Sequence, residues 1–417
     1  MPCFSRTIEF KPKSYGETSL KKGTEPRKRW LSLVSRISQS KWHIKVAYYG
    51  TLQSDQSSAP FAKVRKRRED LQNLCVHIDF DYIQLLDDTV TELYITRDHN
   101  AATVQGQRLR LKTPLDTGNE YTATVDHLWV QIQEDPSRVR FPSFGSGGNI
   151  PIKDLSGIRK ERELAPGVYE VHINGDEELY VYKEIGRPLY EPRDSKVLEQ
   201  ELRNLELFRG TEAVVQLIAA VISKNPYETT DGYEEDRPAV LRGIILEHHP
   251  NGTIQDALRS QKRKRPWGQW ALQTAIALDL LHQRNVPNMD LKPANIVISK
   301  ENNAVLIDIS GIGGVTQEWL SPEMQDLDDP LSQPVEARIQ NDIWALGKMF
   351  SMMAIVSGND TENQLLRSIA MDATAQDPHL RLPLREIISK LSKEGILQNS
   401  LQSIASGSNP PSVRSSM

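Results

Sequence analysis

The sequence predicts an α+β fold in which a β-rich part precedes a helical part. Two β-rich runs, VYEVHI (168–173) and LYVYKEI (179–185), flank the turn NGDE, and Asn-Gly between two such runs is a strong hairpin signal. A third apolar run, RGIILEH (242–248), is typical of a buried strand. Because the pattern beyond it is mostly helical, the order of elements indicates an α+β or two-lobed unit.

The helices are predicted from apolar residues spaced three or four positions apart. The helix in SKVLEQELRNLELF (195–208) has an apolar stripe formed by Val197, Leu198, Leu202, Leu205 and Phe208. Three more helical segments follow the third strand. They are WALQTAIALDLLHQ (270–283), NDIWALGKMFSMMAIV (341–356) and LREIISKLSKEGIL (384–397).

Length and composition exclude several classes of protein. The chain has 417 residues, enough for two or three domains, and its formal charge of −4 gives no whole-molecule field that would attract nucleic acid. The two cysteines, Cys3 and Cys75, cannot make a disulfide framework or a cysteine-based metal site. The sequence has neither a membrane-spanning apolar run nor a secretory signal. We therefore expect a soluble intracellular protein that is cytoplasmic, nuclear or both.

Composition divides the chain into three zones. Residues 1–150 are heterogeneous, and QRLRLK and HLWVQIQ within them have the two-residue alternation of half-buried strands. We interpret this zone as an amino-terminal region of unknown function that is partly β. A second domain is predicted over 151–397, after the Gly- and Ser-rich stretch PSFGSGGNIP. The Ser- and Pro-rich residues 398–417 are predicted to form a disordered tail.

Basic segments raise the question of nucleic-acid or membrane binding. Two runs, RKRR (65–68) and KRKR (262–265), have the composition of nuclear-import or nucleic-acid patches. No aromatic residues are interleaved with them, and we interpret both as solvated faces. The segment RKRWLSLVSRI (27–37) has a basic, amphipathic pattern that could contact anionic membrane, but packing on a neighbouring domain is the simpler interpretation. The sequence thus gives no strong nucleic-acid or membrane signal and leaves the oligomeric state open.

The most informative segment is VPNMDLKPANIVISKENNAVLIDISG (286–311), which contains Asp290, Lys292, Asn295 and Asp308. Hard oxygen ligands suit Mg²⁺, which usually binds one or two carboxylates together with substrate phosphates. A further carboxylate can position a hydroxyl nucleophile and accept its proton. The amine can balance the charge that develops on a transferring phosphoryl group. The segment therefore predicts a nucleotide and metal site.

The same segment resembles the catalytic and magnesium loops of eukaryotic-type protein kinases. The family's H-R-D-L-K-x-x-N has its counterpart in residues 288–295, its D-F-G in 308–310 and its A-P-E in 321–323. Farther along, residues 342–347 resemble the family's D-x-W-x-x-G, and residues 377–381 resemble its D-P-x-x-R. These motifs follow the family order, and the resemblance covers somewhat over half of the chain.

The resemblance implies a bilobal protein-kinase-like fold preceded by the additional amino-terminal region. The small β-rich lobe would cover about 155–248 and the large helical lobe about 249–397. In the family, a threonine at the position of Thr316 steadies the catalytic aspartate and lysine. The implied activity is transfer of the γ-phosphoryl group of ATP, with Mg²⁺, to Ser or Thr hydroxyls of a protein substrate.

The resemblance also implies roles for individual residues. Asp290 would orient and deprotonate the substrate hydroxyl, Lys292 would lie beside the γ-phosphate, and Asn295 and Asp308 would hold Mg²⁺. Lys183 would bind the α- and β-phosphates. Its partner would be Glu201, with Glu199 and Glu206 as alternatives. The other nucleotide contacts would come from Val168 and Leu246 around the base, Glu247 and His249 in the hinge, and Val297 in the floor of the pocket.

Several departures from the family keep a second hypothesis open, namely a pseudokinase that binds nucleotide or acts as a scaffold. The positions of the phosphate-loop glycines hold Glu161, Glu163 and Pro166, and glycines there normally let backbone N–H groups approach phosphate. Asn288 and Met289 replace His-Arg, so that a phosphate on the activation segment would lack a cationic receptor. We therefore expect no switching by phosphorylation there.

Overall fold

The chain forms two compact units. The computed structural model describes residues 7–18, 26–37, 40–49, 63–97, 106–112, 128–145, 149–186, 190–229, 238–260 and 265–393. The first unit comprises Met1–Gly147, Pro188–Pro192 and Ile222–Leu241, and the second comprises Gly148–Arg187, Arg193–Val221 and Arg242–Met417. The tail predicted over 398–417, and the basic run 262–265 apart from its last residue, lie outside the described residues.

A sheet of seven described strands and one helix form the first unit. The elements are β1 (Thr7–Phe10), β2 (Gly16–Glu17), β3 (Lys28–Ile37), β4 (Ser40–Tyr49), α1 (Val64–His77), β5 (Val90–Thr96), β6 (Gln107–Arg108) and β7 (Trp129–Glu134). The sheet order is β1-β3-β4-β5-β7-β6, with β2 paired to β3. Strands β4 and β5 are parallel, and the connection that contains α1 is the crossover that a parallel pair requires. The region is therefore β-rich, as the alternating patterns predicted.

The core of the first unit lies between α1 and one face of the sheet. Leu31, Val46 and Leu93 are register partners on three adjacent strands, and all three are buried. Leu71 and Leu74 of α1 belong to the same core cluster. Because side chains alternate between the two faces of a strand, the amphipathic pattern of residues 28–37 is that of a core strand. Its apolar side chains are thus used in the core of its own unit.

A segment from the second half of the chain is part of the first unit. The backbone N–H of Asp88 donates to Thr229 Oγ1 at 2.7 Å, and the backbone N–H of Thr229 donates to Asp88 Oδ1 at 3.1 Å. The backbone N–H of Phe144 donates to the carbonyl of Ala239 at 2.7 Å. Because of these bonds, the first unit includes residues from beyond position 150, and a single boundary near residue 150 does not separate the two units. Because the bonded residues are far apart in the sequence, no local pattern predicted these bonds.

The second unit begins with a six-stranded sheet and one helix. Its elements are β8 (Ile152–Asp154), β9 (Ile158–Ala165), β10 (Val168–Ile173), β11 (Tyr180–Glu184), α2 (Arg193–Leu207), β12 (Leu217–Ser223) and β13 (Val240–Glu247). The sheet order is β8-β12-β13-β11-β10-β9. The hairpin predicted at NGDE joins the antiparallel strands β10 and β11. Gly175 in its turn has φ +83°, a conformation that favours glycine.

The rest of the second unit is mainly helical. Its elements are α3 (Ile254–Arg259), α4 (Trp267–His282), the hairpin strands β14 (Ile296–Ile298) and β15 (Ala304–Leu306), α5 (Pro322–Gln325), α6 (Val335–Val356), α7 (Asp360–Ala373) and α8 (384–393). Trp267, Trp270 and Phe350 are among its largest fully buried side chains. The predicted α+β fold is confirmed. Among the described residues, no helix combines the length and the apolar character needed to cross a membrane.

An ion pair with a buried arginine links the segment before α8 to α5. Both terminal nitrogens of Arg381 donate to the Glu323 carboxylate, at 2.6 and 2.7 Å. The guanidinium also donates to the carbonyls of Ala375 and Gln340, at 3.1 and 3.0 Å. The Arg381 side chain has no exposed surface, so these partners replace the hydrogen bonds that water would otherwise make to it.

We expect Glu323→Ala to lower the free energy of unfolding by about 2 kcal/mol, because it leaves a buried guanidinium without its counter-charge. The change can be measured by urea denaturation followed by tryptophan fluorescence. Glu336→Ala, at an exposed position in the first turn of α6, is the matched control and should change stability by less than about 0.5 kcal/mol. Equal stability of the two variants would show that the Arg381 pair is energetically neutral.

Candidate active site

The side chain of Asp290 is held in one orientation by three neighbours. Its Oδ1 accepts a hydrogen bond from Thr316 Oγ1 at 2.6 Å. Its Oδ2 accepts from Lys292 Nζ at 2.6 Å and from Asn295 Nδ2 at 3.1 Å. Lys292 Nζ also donates to Thr316 Oγ1 at 2.8 Å. The structure thus brings together Asp290, Lys292 and Asn295, together with the threonine that the resemblance placed beside them.

The loop that carries Asp290 is anchored to α6 through its backbone. The N–H groups of Asn288 and Met289 donate to the two oxygens of Asp342 at 2.7 and 2.8 Å, and His282 Nε2 lies 2.9 Å from the same carboxylate. Asp342 is fully buried. Met289 has φ +66°, a conformation that non-glycine residues seldom adopt. Such backbone strain is found mainly where the surrounding structure fixes a functional loop.

A second cluster joins strand β11, helix α2 and the loop after β15. Lys183 Nζ lies 2.6 Å from Glu201 Oε2 and 2.6 Å from Asp308 Oδ1. Burial opposes the charged form of Lys183, but the two carboxylates outweigh it, and the pKa of Lys183 lies above its usual range. Lys183 in turn lowers the pKa of Asp308, against the effect of burial. Both shifts favour the charged forms of Lys183 and Asp308, whereas burial raises the pKa of Glu201.

Glu201 is the glutamate that pairs with Lys183. Its side chain has no exposed surface, whereas the side chain of Glu199 is one-third exposed and lies 3.8 Å from Arg203. The ion pairs of Lys183 are with Glu201 and Asp308 rather than with Glu206. The burial of Glu201 on the inner face of α2 thus distinguishes it from the alternatives that the sequence left open.

Two asparagines connect these clusters, and sequence reasoning gave neither of them a role. Asn288 accepts from the backbone N–H of Asp290 at 3.1 Å and donates to the carbonyl of Asp308 at 3.3 Å. Asn204 of α2 donates to the carbonyl of Ile309 at 2.6 Å. Asn204 is buried and lies three positions after Glu201, on the same face of α2. Two polar residues on the apolar face of one helix were the sequence signal that could have identified a role for Asn204.

The apolar residues expected around a nucleotide base lie on neighbouring strands. Val168 on β10 is the register partner of Lys183 on β11, and Leu246 on β13 is the register partner of Val181 on β11. Leu246 is buried, whereas Val168 and Val297 are partly exposed. Val297 lies on β14, where it forms an isolated bridge with Thr253. The structure thus places Val168 and Leu246 on the sheet that carries Lys183, and Val297 on the hairpin beyond the Asp290 loop.

The side chains of Glu247 and His249 contact each other rather than the charged clusters. His249 Nε2 lies 3.1 Å from Glu247 Oε1, and both line a cavity of about 360 Å³ together with residues of the β14–β15 turn. The backbone N–H of Gln216 donates to Glu247 Oε1 at 2.9 Å. The resemblance implies nucleotide contacts through the backbone of these residues, and that stays a prediction.

The residues at the position of the family's phosphate-binding loop form a hairpin that carries glutamate side chains. Strands β9 and β10 meet at Pro166 and Gly167, and Gly167 has φ +77°. Glu161 pairs with Arg159 at 2.7 Å on an exposed surface. Glu163 Oε1 accepts from the backbone N–H of Gly167 at 3.4 Å. One N–H group that a phosphate loop would present is thus directed at a carboxylate of the same hairpin.

The residues of the site fit Mg²⁺ bound together with a phosphorylated substrate. Asn295 Nδ2 is directed at Asp290, which leaves its amide oxygen as a hard donor, and Asp308 uses Oδ1 for Lys183. In the part of the chain that the structure describes, no group of three or more His, Cys, Asp or Glu residues could hold a metal alone. Two oxygen donors are the usual protein contribution to Mg²⁺ when phosphates supply further ligands.

Comparison with known proteins agrees with this geometry. The family model of the protein kinase domain matches residues 166–390, which is more than half of the chain. The chain belongs to the protein kinase family. The match extends from the β9–β10 hairpin to α8, and it leaves the sheet of the first unit unmatched.

Relatives of this kinase domain are distant. A serine/threonine-protein kinase-like protein of Arabidopsis thaliana is 30% identical over 31% of this chain and 30% of its own length. Serine/threonine-protein kinase KIC1 of Saccharomyces cerevisiae is 27% identical over 33% of this chain and 13% of its own length. Mouse serine/threonine-protein kinase Nek1 is 24% identical over 43% of this chain and 16% of its own length. The match thus spans less than a third of the length of these relatives.

The activation segment of the kinase domain is held by apolar packing. Met289, at the position of the family's arginine, forms a buried cluster with Leu320 and Met324. The hydroxyl residues between Asp308 and Glu323 are Ser310, Thr316 and Ser321. Ser310 and Ser321 are buried, and the Thr316 hydroxyl is bonded to Asp290 and Lys292. The hydroxyl groups of this segment are thus buried or already hydrogen-bonded, and the absence of switching by phosphorylation stays a prediction.

We expect Met289→Arg to lower the free energy of unfolding by at least about 2 kcal/mol, because the apolar cluster offers no counter-charge to a guanidinium. Met289→Leu keeps the volume and should cost less than about 1.5 kcal/mol. Chemical denaturation of the two variants beside the wild type measures the difference. If the arginine variant were as stable as the leucine variant, the cluster would not be the element that holds the activation segment.

Proposed function

We propose that this protein is an active kinase that uses ATP and Mg²⁺ to phosphorylate Ser or Thr hydroxyls of a protein substrate. The observation that supports the proposal best is the set of hydrogen bonds around Asp290. Both carboxylate oxygens are held, one by Thr316 and the other by Lys292 and Asn295. A module that only binds nucleotide or a partner protein has no need of a carboxylate oriented in this way.

In the proposed reaction, the substrate hydroxyl oxygen forms a bond to the γ-phosphorus. The bond from that phosphorus to the oxygen that bridges it to the β-phosphate breaks, and ADP leaves. Asp290 orients the hydroxyl and accepts its proton. Lys292 and Lys183 offset the negative charge of the phosphates. Asn295 and Asp308 hold Mg²⁺, which when bound neutralises phosphate charge.

A pseudokinase is the second candidate, and the β9–β10 hairpin favours it. Glu161 and Glu163 replace two glycines of the phosphate loop, and the carboxylate of Glu163 takes the N–H group of Gly167. Negative charge there raises the cost of bringing a triphosphate close. The active kinase is preferred because Lys183, Asp290, Asn295 and Asp308 all keep their family identities, and an altered phosphate loop weakens nucleotide binding without removing a group that acts on the reacting atoms.

The proposal is tested by incubating the purified full chain with Mg²⁺, labelled ATP and a mixture of Ser-, Thr- and Tyr-containing peptides. We expect label on phosphoserine or phosphothreonine after acid hydrolysis. Calorimetric titration with ATP is run in parallel. Nucleotide binding without incorporation at any peptide concentration would contradict the active kinase and favour the pseudokinase.

A further inference from the structure

The first unit contains a cavity that the kinase reaction does not use. Its volume is about 540 Å³, within the range of sites that hold small molecules. One wall is the turn after β1, which includes Lys11, Lys13 and Tyr15, and the other is the first part of α1, from Val64 to Gln72. A chain turn and a helix thus enclose a concave space on the edge of the sheet.

Positive charge is concentrated on the walls of this cavity. Among the described residues, four cationic side chains line it, and no aspartate or glutamate does. They are Lys11, Lys13, Arg65 and Arg68. Arg65 is bonded to Glu69 at 2.8 Å, whereas Lys13 and Arg68 have no acidic partner among the residues that the structure describes. In the part of the chain that the structure describes, two exposed cations on opposite walls are therefore without an acidic partner.

Among the described residues near the cavity, Glu17 does not supply the missing negative charge. Glu17 is the acidic residue near Tyr15, and its carboxylate is bonded to Tyr15 Oη at 2.7 Å and to Arg67 Nε at 3.0 Å. Lys11 Nζ lies 3.1 Å from His43 Nδ1. A histidine ring that accepts a hydrogen bond is neutral, so this partner brings no negative charge. Burial, followed by the charges of Arg138 and Lys41, lowers the pKa of Lys11. An anion in the cavity would relieve this repulsion.

The start of α1 adds to the attraction for an anion. The first turn of the helix contains no acidic residue, and its N-cap residue, Lys63, makes no side-chain capping bond. The first N–H groups of a helix have no partner within the helix, and they carry partial positive charge. Val64, at the beginning of α1, lines the cavity.

The cavity also has an apolar wall and neutral hydrogen-bonding groups. Phe10, Leu31 and Val64 provide the apolar surface, and Ser14 and Gln72 provide polar side chains. A site with a few cations beside an apolar wall suits a compact ligand that carries phosphates on a small carbon skeleton. The cations come from one turn and one helix rather than from a long stripe, and the chain carries a net charge of −4, so a nucleic-acid strand fits this surface less well.

We propose that this cavity binds a small molecule bearing two or more phosphate groups, with Lys13 and Arg68 as its principal contacts. The ligand is either free in solution or the headgroup of a lipid, since both present the same phosphates. The site is separate from the nucleotide site, because all its lining residues belong to the first unit. The proposed binding at this cavity therefore does not depend on the proposed kinase activity.

The test uses the full chain and inositol hexakisphosphate as the probe in isothermal titration calorimetry. We expect saturable binding that Lys13→Gln and Arg68→Gln each weaken by about tenfold, since a lost charged hydrogen bond has this order of effect. Lys66→Gln is the matched control, because Lys66 is an exposed cation of the same helix that does not line the cavity. Lys183→Met, in the nucleotide site, should also leave probe binding unchanged.

A second arm separates the two sources of the ligand. Vesicles with and without phosphatidylinositol bisphosphate are sedimented with the wild type and with Arg68→Gln. Sedimentation that requires the phosphorylated lipid and is lost in Arg68→Gln identifies a headgroup, whereas binding of the soluble probe alone identifies a free ligand. The proposal is overturned if the wild type binds neither, if Lys66→Gln weakens binding as much as Arg68→Gln, or if only RNA or a phosphopeptide binds.

Discussion

Replacing Asp290 with asparagine is expected to lower the rate of phosphate transfer by about three orders of magnitude while ATP binding stays near the wild-type level. Asparagine has almost the same shape and can still accept a hydrogen bond from Thr316. It cannot take up the proton of the substrate hydroxyl, and it brings no negative charge to orient that hydroxyl. The loss should therefore appear in kcat far more than in the affinity for nucleotide.

The matched control is Asp328→Asn, which makes the same chemical change at an exposed position. We expect this variant to retain wild-type turnover. Initial rates with labelled ATP, together with calorimetric titration with ATP, distinguish the two variants. If Asp290→Asn turned over as fast as Asp328→Asn, Asp290 would not be the catalytic base, and the interpretation of its hydrogen bonds would be wrong.

Lys183→Met is expected to reduce phosphate transfer by about two to three orders of magnitude and to weaken ATP binding at least tenfold. The lysine is the cation that Glu201 and Asp308 share, at 2.6 Å from each. Its removal would eliminate the phosphate contact proposed for it. It also leaves the fully buried Glu201 carboxylate without a counter-charge, which should cost about 3 kcal/mol of stability.

The double variant Lys183→Met/Glu201→Gln separates the two effects. Neutralising Glu201 removes the unpaired buried charge, so the double variant should recover most of the lost stability but none of the lost activity. Lys300→Met, at an exposed lysine, is the control. Thermal denaturation and initial rates are measured for all four proteins. Recovery of activity in the double variant would show that Lys183 acts only by stabilising the fold.

The local chemistry of the site was readable from the sequence because it lies on one short stretch. Asp290, Lys292 and Asn295 are separated by only a few residues, and the bonds among them follow from that proximity. The partner of Lys183 was not decided by spacing, since three glutamates of one helix were compatible. The burial of Glu201 distinguishes it from the other two glutamates. That burial depends on how α2 packs against the loop that carries Asp308 and Ile309.

Long-range contacts explain what the sequence did not predict in the first unit. The run at 65–68 was interpreted as a solvated face, and Arg65, Lys66 and Arg68 are exposed. Arg67 is buried, however, and donates to Glu17. Arg67 lies on α1 and that partner lies fifty positions earlier on β2, so no local pattern could have indicated it. The bonds between Asp88 and Thr229 could not be predicted from the sequence for the same reason.

The most direct test of the central claim is a comparison of phosphate incorporation by the wild type, Asp290→Asn and Asp308→Ala, with labelled ATP, a generic protein substrate and Mg²⁺. Asp308 is the carboxylate expected to hold the metal, and Asp290 the base. We predict incorporation by the wild type that disappears when EDTA is added and that falls to background in both variants. Equal incorporation in all three proteins, or the same rate with and without Mg²⁺, would contradict a metal-dependent phosphoryl transfer at this site.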